Sequence, residues 1–334
     1  MIPFNRASFD GEELTYLAQA IDQGHTAGNG PFTQQAEAML ADMHGGSASL
    51  LTTSCTHALE MAARLLDLQP GDEVIVPSYT FVSTASAFLW NGARPVFADI
   101  RPDTLNIDPE SVEARITDST RAICIVHYAG VGAEPDRFVD IATRHGLTLI
   151  EDNAHGLGAT YRGQTLGTFG ALSTLSFHET KNVTCGEGGA LVINDANLVA
   201  RAEMLREKGT NRSLFMRGQI NKYTWVDQGS SYLPSDILMA FLYAQLEKMD
   251  EIKSLRGTIF NRYQKESINF KDLTIELWEL KKFDDGTIIY NPIKSSNATE
   301  SIKTVTKFKT EEFKEINKEI ITYDEEYHLK ITNQ

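Results

Sequence analysis

The chain has 334 residues, 42% hydrophobic and 23% charged, with a formal net charge of −14. This is the make-up of a globular protein in water, and the charge argues against a nucleic-acid surface. No run of about 18 apolar residues is present, and Met1-Ile2-Pro3-Phe4-Asn5-Arg6 lacks the layout of a signal peptide, so a cytoplasmic location without a membrane partner is expected.

In chain order, short apolar runs occur at 49–53, 73–76, 95–98, 122–126, 147–151, 172–177 and 190–193. Most do not alternate with polar residues, as for strands covered on both faces. Helical patterns lie between several of them, at 58–68, 135–145 and 198–208. Strand–helix alternation of this kind predicts an α/β fold with a mostly parallel sheet. Ligands of such sheets bind beyond the carboxyl ends of the strands, so the residues following each run carry the functional interest.

The first such junction is Thr52-Thr53-Ser54-Cys55-Thr56-His57, which leads into a helix expected from Ala58. Free N–H groups and the helix dipole make it an anion site, to which the Ser54 and Thr56 hydroxyls can add hydrogen bonds. A plain helix N-cap is the bland alternative. After the second run comes Phe81, either a ring to stack on a flat ligand or a core aromatic. The run 147–151 ends on Asp152, followed by Asn153-Ala154-His155. Adjacent Glu151 is less attractive, because neighbouring strand residues point to opposite faces.

Lys181 is the first lysine in the chain, and the next is Lys208. It lies just past an apolar run in Ser176-Phe177-His178-Glu179-Thr180-Lys181, upstream of Gly186-Glu187-Gly188-Gly189. An arbitrary lysine is usually a solvated charge. Here a lysine, an acid at a strand end and a hydroxyl-rich helix start come together. Pyridoxal phosphate chemistry needs those parts: an amine for the aldehyde, a carboxylate for the pyridine nitrogen and a cradle for the phosphate. Burial would lower the lysine pKa and supply the neutral amine. Ser176 is a further phosphate donor, and His155 can hold the phenolic oxygen or pack over the ring. The eight histidines show no metal spacing, so no metal is expected. Cys55, Cys124 and Cys185 are odd in number and far apart, which gives no disulfide framework.

Composition changes near residue 252. Residues 1–252 hold 4 Lys, 13 Arg and 31 acidic residues, whereas 253–334 hold 12 Lys, 2 Arg and 14 acidic residues, with Ala298 the sole alanine. This break predicts a large domain over 1–250 and a small α+β domain over 251–334. Strand-like runs at 274–280 and 287–290 flank the turn signal Asp284-Asp285-Gly286. Phe313, Ile316 and Ile320 space out as a helix face after a Thr310 cap.

Residues 1 to about 250 resemble the DegT/DnrJ/EryC1/StrS family of sugar-nucleotide aminotransferases. The resemblance rests on Glu151-Asp152-Asn153-Ala154-His155, the segment from Ser176 to Gly189, Arg206-Glu207-Lys208-Gly209-Thr210-Asn211-Arg212 and Tyr223-Thr224-Trp225-Val226-Asp227. It implies the type I aminotransferase fold of PLP-dependent transferases, a homodimer and pyridoxal phosphate attached to Lys181. It also implies glutamate as amino donor and a dTDP-4-keto-6-deoxyhexose as acceptor, in enterobacterial common antigen synthesis. By the family pattern, Asp152 serves the pyridine nitrogen, His155 the ring face or oxygen, Phe81 the stacking, and Ser54, Cys55 and Ser176 the phosphate. Two departures stand out. Ser231 occupies the stretch where many members carry an asparagine that reaches the partner subunit's phosphate. The tail from about 256 does not match the family's C-terminal domain and ends early. The expectation is a replaced C-terminal segment, with a non-catalytic or impaired descendant as the alternative reading.

Overall fold

Runs rich in Val and Ile extend because branched side chains pack well on a pleated surface. The computed structural model describes residues 7–9, 11–265, 273–282, 288–293 and 330–333. The chain divides into two compact units, Met1–Ser254 and Leu255–Gln334.

The first unit begins with helices α1 (Glu13–Asp22) and α2 (Pro31–Met43), then β1 (Ala48–Thr52), α3 (Cys55–Leu65), β2 (Glu73–Pro77), α4 (Ser83–Trp90) and β3 (Arg94–Ala98). It continues through α5 (Pro109–Glu113), β4 (Thr120–Val126), α6 (Pro135–His145), β5 (Thr148–Asp152) and a short hairpin, β6 (Thr160–Tyr161) and β7 (Gln164–Thr165). After β8 (Leu172–Ser176) and β9 (Gly189–Ile193) come α7 (Val199–Arg206), α8 (Arg212–Met216), α9 (Asp236–Glu247) and α10 (Met249–Lys265), whose residues from Leu255 on belong to the second unit. Each predicted run becomes a strand of one seven-stranded sheet, ordered β1-β9-β8-β5-β4-β2-β3. Pairing is parallel from β3 through β2, β4 and β5 to β8, and antiparallel on both sides of β9. Strand β9 is therefore the one reversed member. Its first residue, Gly189, lies level with Thr52 and Ser176, the last residues of β1 and β8.

Local chemistry sets the helix ends. Helix α6 starts with Pro135 at its first position and stops at Gly146, whose φ of 66° is the left-handed conformation that glycine adopts without penalty. Helix α3 starts at Cys55, three residues before the expected Ala58. The Ser54 side chain accepts the His57 N–H and so moves the cap upstream.

Alternation along the strands feeds separate core clusters. Leu50, Val74, Val76, Cys124 and Ile150 pack with α3 residues such as Leu59 and Met61. Ile75, Ile123, Ile125 and Leu149 pack with Phe138 and Ile141 of α6. Leu51, Leu175 and Val192 pack with Phe32, Leu40 and Met239. Thus β5 presents Ile150 and Leu149 to different layers, and the same alternation separates Asp152 from Glu151. Among the described residues no helix is long and apolar enough to cross a membrane.

In the second unit, β10 (Leu273–Lys282) lies between β11 (Ile288–Ile293) and β12 (Lys330–Asn333), antiparallel to both. Strands β10 and β11 fall on the two predicted runs, with Leu280 opposite Tyr290. Strand β12 was not expected from the sequence pattern. The turn at 284–286 and the helix face of Phe313, Ile316 and Ile320 lie outside the described residues.

Candidate active site

A cavity of about 580 Å³ opens at the carboxyl edge of the sheet, where β1, β2, β4, β5 and β8 end and β9 begins. It is large enough for a cofactor-sized ligand. Lys181, Asp152, His155, Ser54, Cys55, Thr56, Phe81 and Ser176 all line it, although they come from segments far apart in sequence. Ser231 does not line it. Ser231 is exposed and bridges Glu207 through the backbone.

The floor is the first turn of α3. The N–H groups of Cys55 and Thr56 have no acceptor within the helix, so they and the dipole face an incoming anion. Ser54 Oγ accepts the His57 N–H at 3.1 Å and keeps its own proton to donate. The N-cap and the ligand-binding readings of Ser54 are thus compatible. Thr56 Oγ1 lies 2.7 Å from Ser83 Oγ. Gly189 makes this floor possible: a Cβ there would lie 2.3 Å from the Ser54 carbonyl carbon and 2.4 Å from the Cys55 nitrogen. Burial pushes the Cys55 thiol up, so it remains protonated and serves as lining.

Asp152 ends β5 and is 5% exposed. Its Oδ2 accepts from Thr84 Oγ1 at 2.7 Å, and its Oδ1 accepts the Ala154 N–H at 3.2 Å. A carboxylate has about four acceptor positions, so two are left for a donor in the cavity. Glu151, set aside from the sequence, is fully buried on the other face. It accepts from His127 Nε2 and from the N–H groups of Gly167, Phe169 and Gly170, each at 2.8 Å. With four donors it has no capacity left. Burial works to raise its pKa, but the His127 hydrogen bond and the backbone donors outweigh this and hold it below the usual value.

Lys181 sits in the loop between β8 and β9. The loop is closed at its base by Phe177 N to Gly188 O at 2.8 Å and Glu179 N to Gly186 O at 2.9 Å. Gly186 has a φ of 85°, which that turn requires. The ammonium is half-buried, and no ion pair involves it among the described residues. Burial lowers its pKa, and the Asp152 charge pulls the other way without overcoming it. His155 Nδ1 accepts the Ala129 N–H at 3.2 Å, which puts the ring proton on Nε2. Burial first and the Lys181 charge second lower the His155 pKa and keep the ring neutral.

Phe81 is 72% exposed, so the core reading of that ring is wrong; it stands at the cavity wall. Sequence reasoning missed Tyr128 and Thr84. Tyr128 follows β4 directly, packs edge-on against His155 with centroids 5.4 Å apart, and bonds Tyr79 at 3.0 Å. Its position just past a strand end was an available signal. Thr84 was marked only by lying four residues after Thr80.

An α/β sheet with one reversed strand, and a lysine facing an acid across an anion-binding helix start, define a type I aminotransferase fold. The model of the DegT/DnrJ/EryC1/StrS aminotransferase family matches residues 8–323. The chain belongs to that family, and the match runs well past residue 250, where the resemblance read from the sequence ends. Aminotransferases of the family are pyridoxal phosphate dependent. Among solved structures, the chain is 31% identical to 3-amino-5-hydroxybenzoic acid synthase, with a TM-score of 0.74 over 82% of this chain and 71% of that one. It is also 31% identical to DesI, solved in the presence of its TDP-sugar product, with a TM-score of 0.71 over 81% of this chain and 66% of that one. DesV from S. venezuelae is 32% identical, with a TM-score of 0.71 over 79% of this chain and 69% of that one.

The cavity fits the family's cofactor on its own geometry. The α3 start offers free N–H donors where a phosphate needs them. Asp152 has two acceptor positions to spare for a ring N–H. The pKa of Lys181 is shifted toward the neutral amine.

Proposed function

We propose that the protein moves the amino group of glutamate to the C4 ketone of a dTDP-4-keto-6-deoxyhexose, with pyridoxal phosphate as cofactor. The observation that carries this reading is that Lys181 and Asp152 line one cavity of about 580 Å³ above the α3 N-terminus. The bound cofactor supplies an electron sink for cleavage of a bond at the donor's Cα. Cys55, Thr56 and the hydroxyls of Ser54 and Ser176 hold its phosphate. Asp152 keeps a proton on its ring nitrogen through an open acceptor position. Phe81 would stack on the ring, and His155 would pack over it or donate Nε2–H to the phenolic oxygen.

Lys181 Nζ has two duties. It anchors the aldehyde in the resting protein, and it takes the proton that leaves the donor's Cα. On the acceptor half the same amine returns a proton to the carbon that was the ketone. Its depressed pKa suits both, because a neutral amine is needed to accept the first proton.

We assign the acceptor as a dTDP-linked 4-keto sugar giving dTDP-4-amino-4,6-dideoxygalactose, for enterobacterial common antigen. Support comes from the segments 176–189, 206–212 and 223–227, which look most like the transaminase of that pathway. A homodimer is proposed as the working form. Phe81 at the cavity wall, and Val82, Leu89 and Trp90 at the start and end of α4, are each more than 60% exposed, and a partner subunit would cover them. Ser231 is proposed as the cross-subunit phosphate contact.

The test is the absorbance of the purified protein with pyridoxal phosphate before and after borohydride, with mapping of the labelled peptide, beside a coupled glutamate-to-2-oxoglutarate assay. Label on Lys181 and turnover with the dTDP-keto sugar are expected. A colourless, unlabelled protein overturns the cofactor assignment. Label without turnover favours the non-catalytic descendant.

A further inference from the structure

Asp152 is the group whose direction matters most in the cavity, and the shorter of the two bonds to its carboxylate comes from outside the cavity lining. The Thr84 hydroxyl donates to Asp152 Oδ2 at 2.7 Å. Thr84 is fully buried in the first turn of α4. A hydroxyl has one proton, and this one is committed to the carboxylate. The other contact of Thr84 Oγ1, with Thr80 Oγ1 at 2.7 Å, is therefore one in which Thr80 donates. Direction is thus fixed along the chain of bonds from Thr80 to Thr84 to Asp152. The next residue back, Ser83, is bonded to Thr56 in the α3 floor. Consecutive hydroxyls at the start of α4 thus tie to the two ends of the cavity, the anion-binding helix start and the acid.

We propose that Thr84 is a positioning residue for Asp152: its hydroxyl, itself held by Thr80, fixes the carboxylate plane so that the open acceptor positions face the cofactor's ring nitrogen. This rests on the function proposed above. Among the described residues, the Ala154 N–H, at 3.2 Å to Oδ1, is the remaining hydrogen bond to the carboxylate. Without Thr84 the group keeps a single, longer bond and turns freely about its last torsion. A ring nitrogen held less firmly carries its proton less of the time and withdraws electrons less from the attached lysine nitrogen. That nitrogen then keeps its own proton to higher pH.

Thr84→Val removes the hydroxyl at nearly constant shape, and Thr84→Ser restores it. In the cofactor-loaded protein, the pH midpoint of the absorbance change is expected to move up in Thr84→Val. Its kcat should fall roughly ten- to a hundred-fold, the value of a hydrogen bond to a charged group, with KM for glutamate changed much less. Thr84→Ser should return both quantities toward wild type, and Thr80→Val should move the midpoint the same way by less. A Thr84→Val protein with wild-type midpoint and kcat overturns the inference. Equal losses in the Val and Ser variants also overturn it, since they would mark a packing effect. Should Thr84→Val fail to fold, Thr80→Val decides, and an unmoved midpoint there overturns it. A wild-type protein that takes up no pyridoxal phosphate overturns the proposed function itself; a loaded wild type with an indifferent Thr84→Val overturns this inference alone.

Discussion

The two faces of strand β5 carry adjacent carboxylates with opposite assignments. On the α3 side Asp152 has two hydrogen bonds, an edge on the cavity and acceptor capacity to spare. On the α6 side Glu151 has four donors and no exposure. His127 Nδ1 accepts the Ala133 N–H at 3.2 Å, so its proton is on Nε2, aimed at Glu151. The difference teaches that a buried acid is marked for chemistry by the bonds it lacks. A saturated carboxylate fixes backbone, here the 167–170 loop below the site, while an unsaturated one waits for a ligand.

The largest expected effect lies on the cavity side. Lys181→Ala should lower turnover in the coupled assay by at least roughly 10³-fold, since one amine serves both attachment and proton transfer. Near-normal turnover would break the assignment of the cavity face. Next, a crossed pair of variants sharpens the contrast within β5. Asp152→Asn should cost roughly 10²-fold in kcat while leaving the melting temperature of the cofactor-free protein near wild type. Glu151→Gln should do the reverse. It breaks a buried, charge-assisted cluster worth about 3 kcal/mol and should lower the melting temperature by roughly 6–12 °C. If both variants lose stability alike, the two faces do not differ as described.

A pH series gives a smaller effect. Glu151 ionises in the folded protein below its ordinary value of 4.5. The unfolded chain therefore binds more protons near that pH, and stability rises with pH there. The Glu151 contribution is complete above pH 4.5 and is lost as pH falls through the lower folded value. The melting-temperature gap between wild type and Glu151→Gln should narrow on acidification below pH 4.5; a constant gap would show that the charge contributes nothing. Smallest is Ser54→Ala, which removes a cap worth about 1 kcal/mol. It should also weaken pyridoxal phosphate binding in a fluorescence titration.

Much of this was legible in the chain. The runs around Val74, Ile123 and Ile150 fixed the strands, because their period and flanking turns allow few alternatives. Alternation alone placed Asp152 and Glu151 on opposite faces. The start of α3 was misplaced by three residues, since the Ser54 cap bond competes with side-chain periodicity and only geometry shows which prevails. Thr84 was not legible: its link to Asp152 spans 68 residues, and nothing in Thr80-Phe81-Val82-Ser83-Thr84 announces an acid at that distance.

By itself the sequence determined the parts: a lysine-poor first half with Lys181 after a strand, an acid at a strand end, and a hydroxyl-rich helix start. These depend on local pattern, which a short window of residues carries. Tertiary structure alone decided which acid keeps acceptor positions open, which hydroxyl aims it, and that Phe81 stands at a cavity wall instead of in the core. Those outcomes depend on what approaches each atom from strands and helices far away in the chain, and parallel pairing sets that approach.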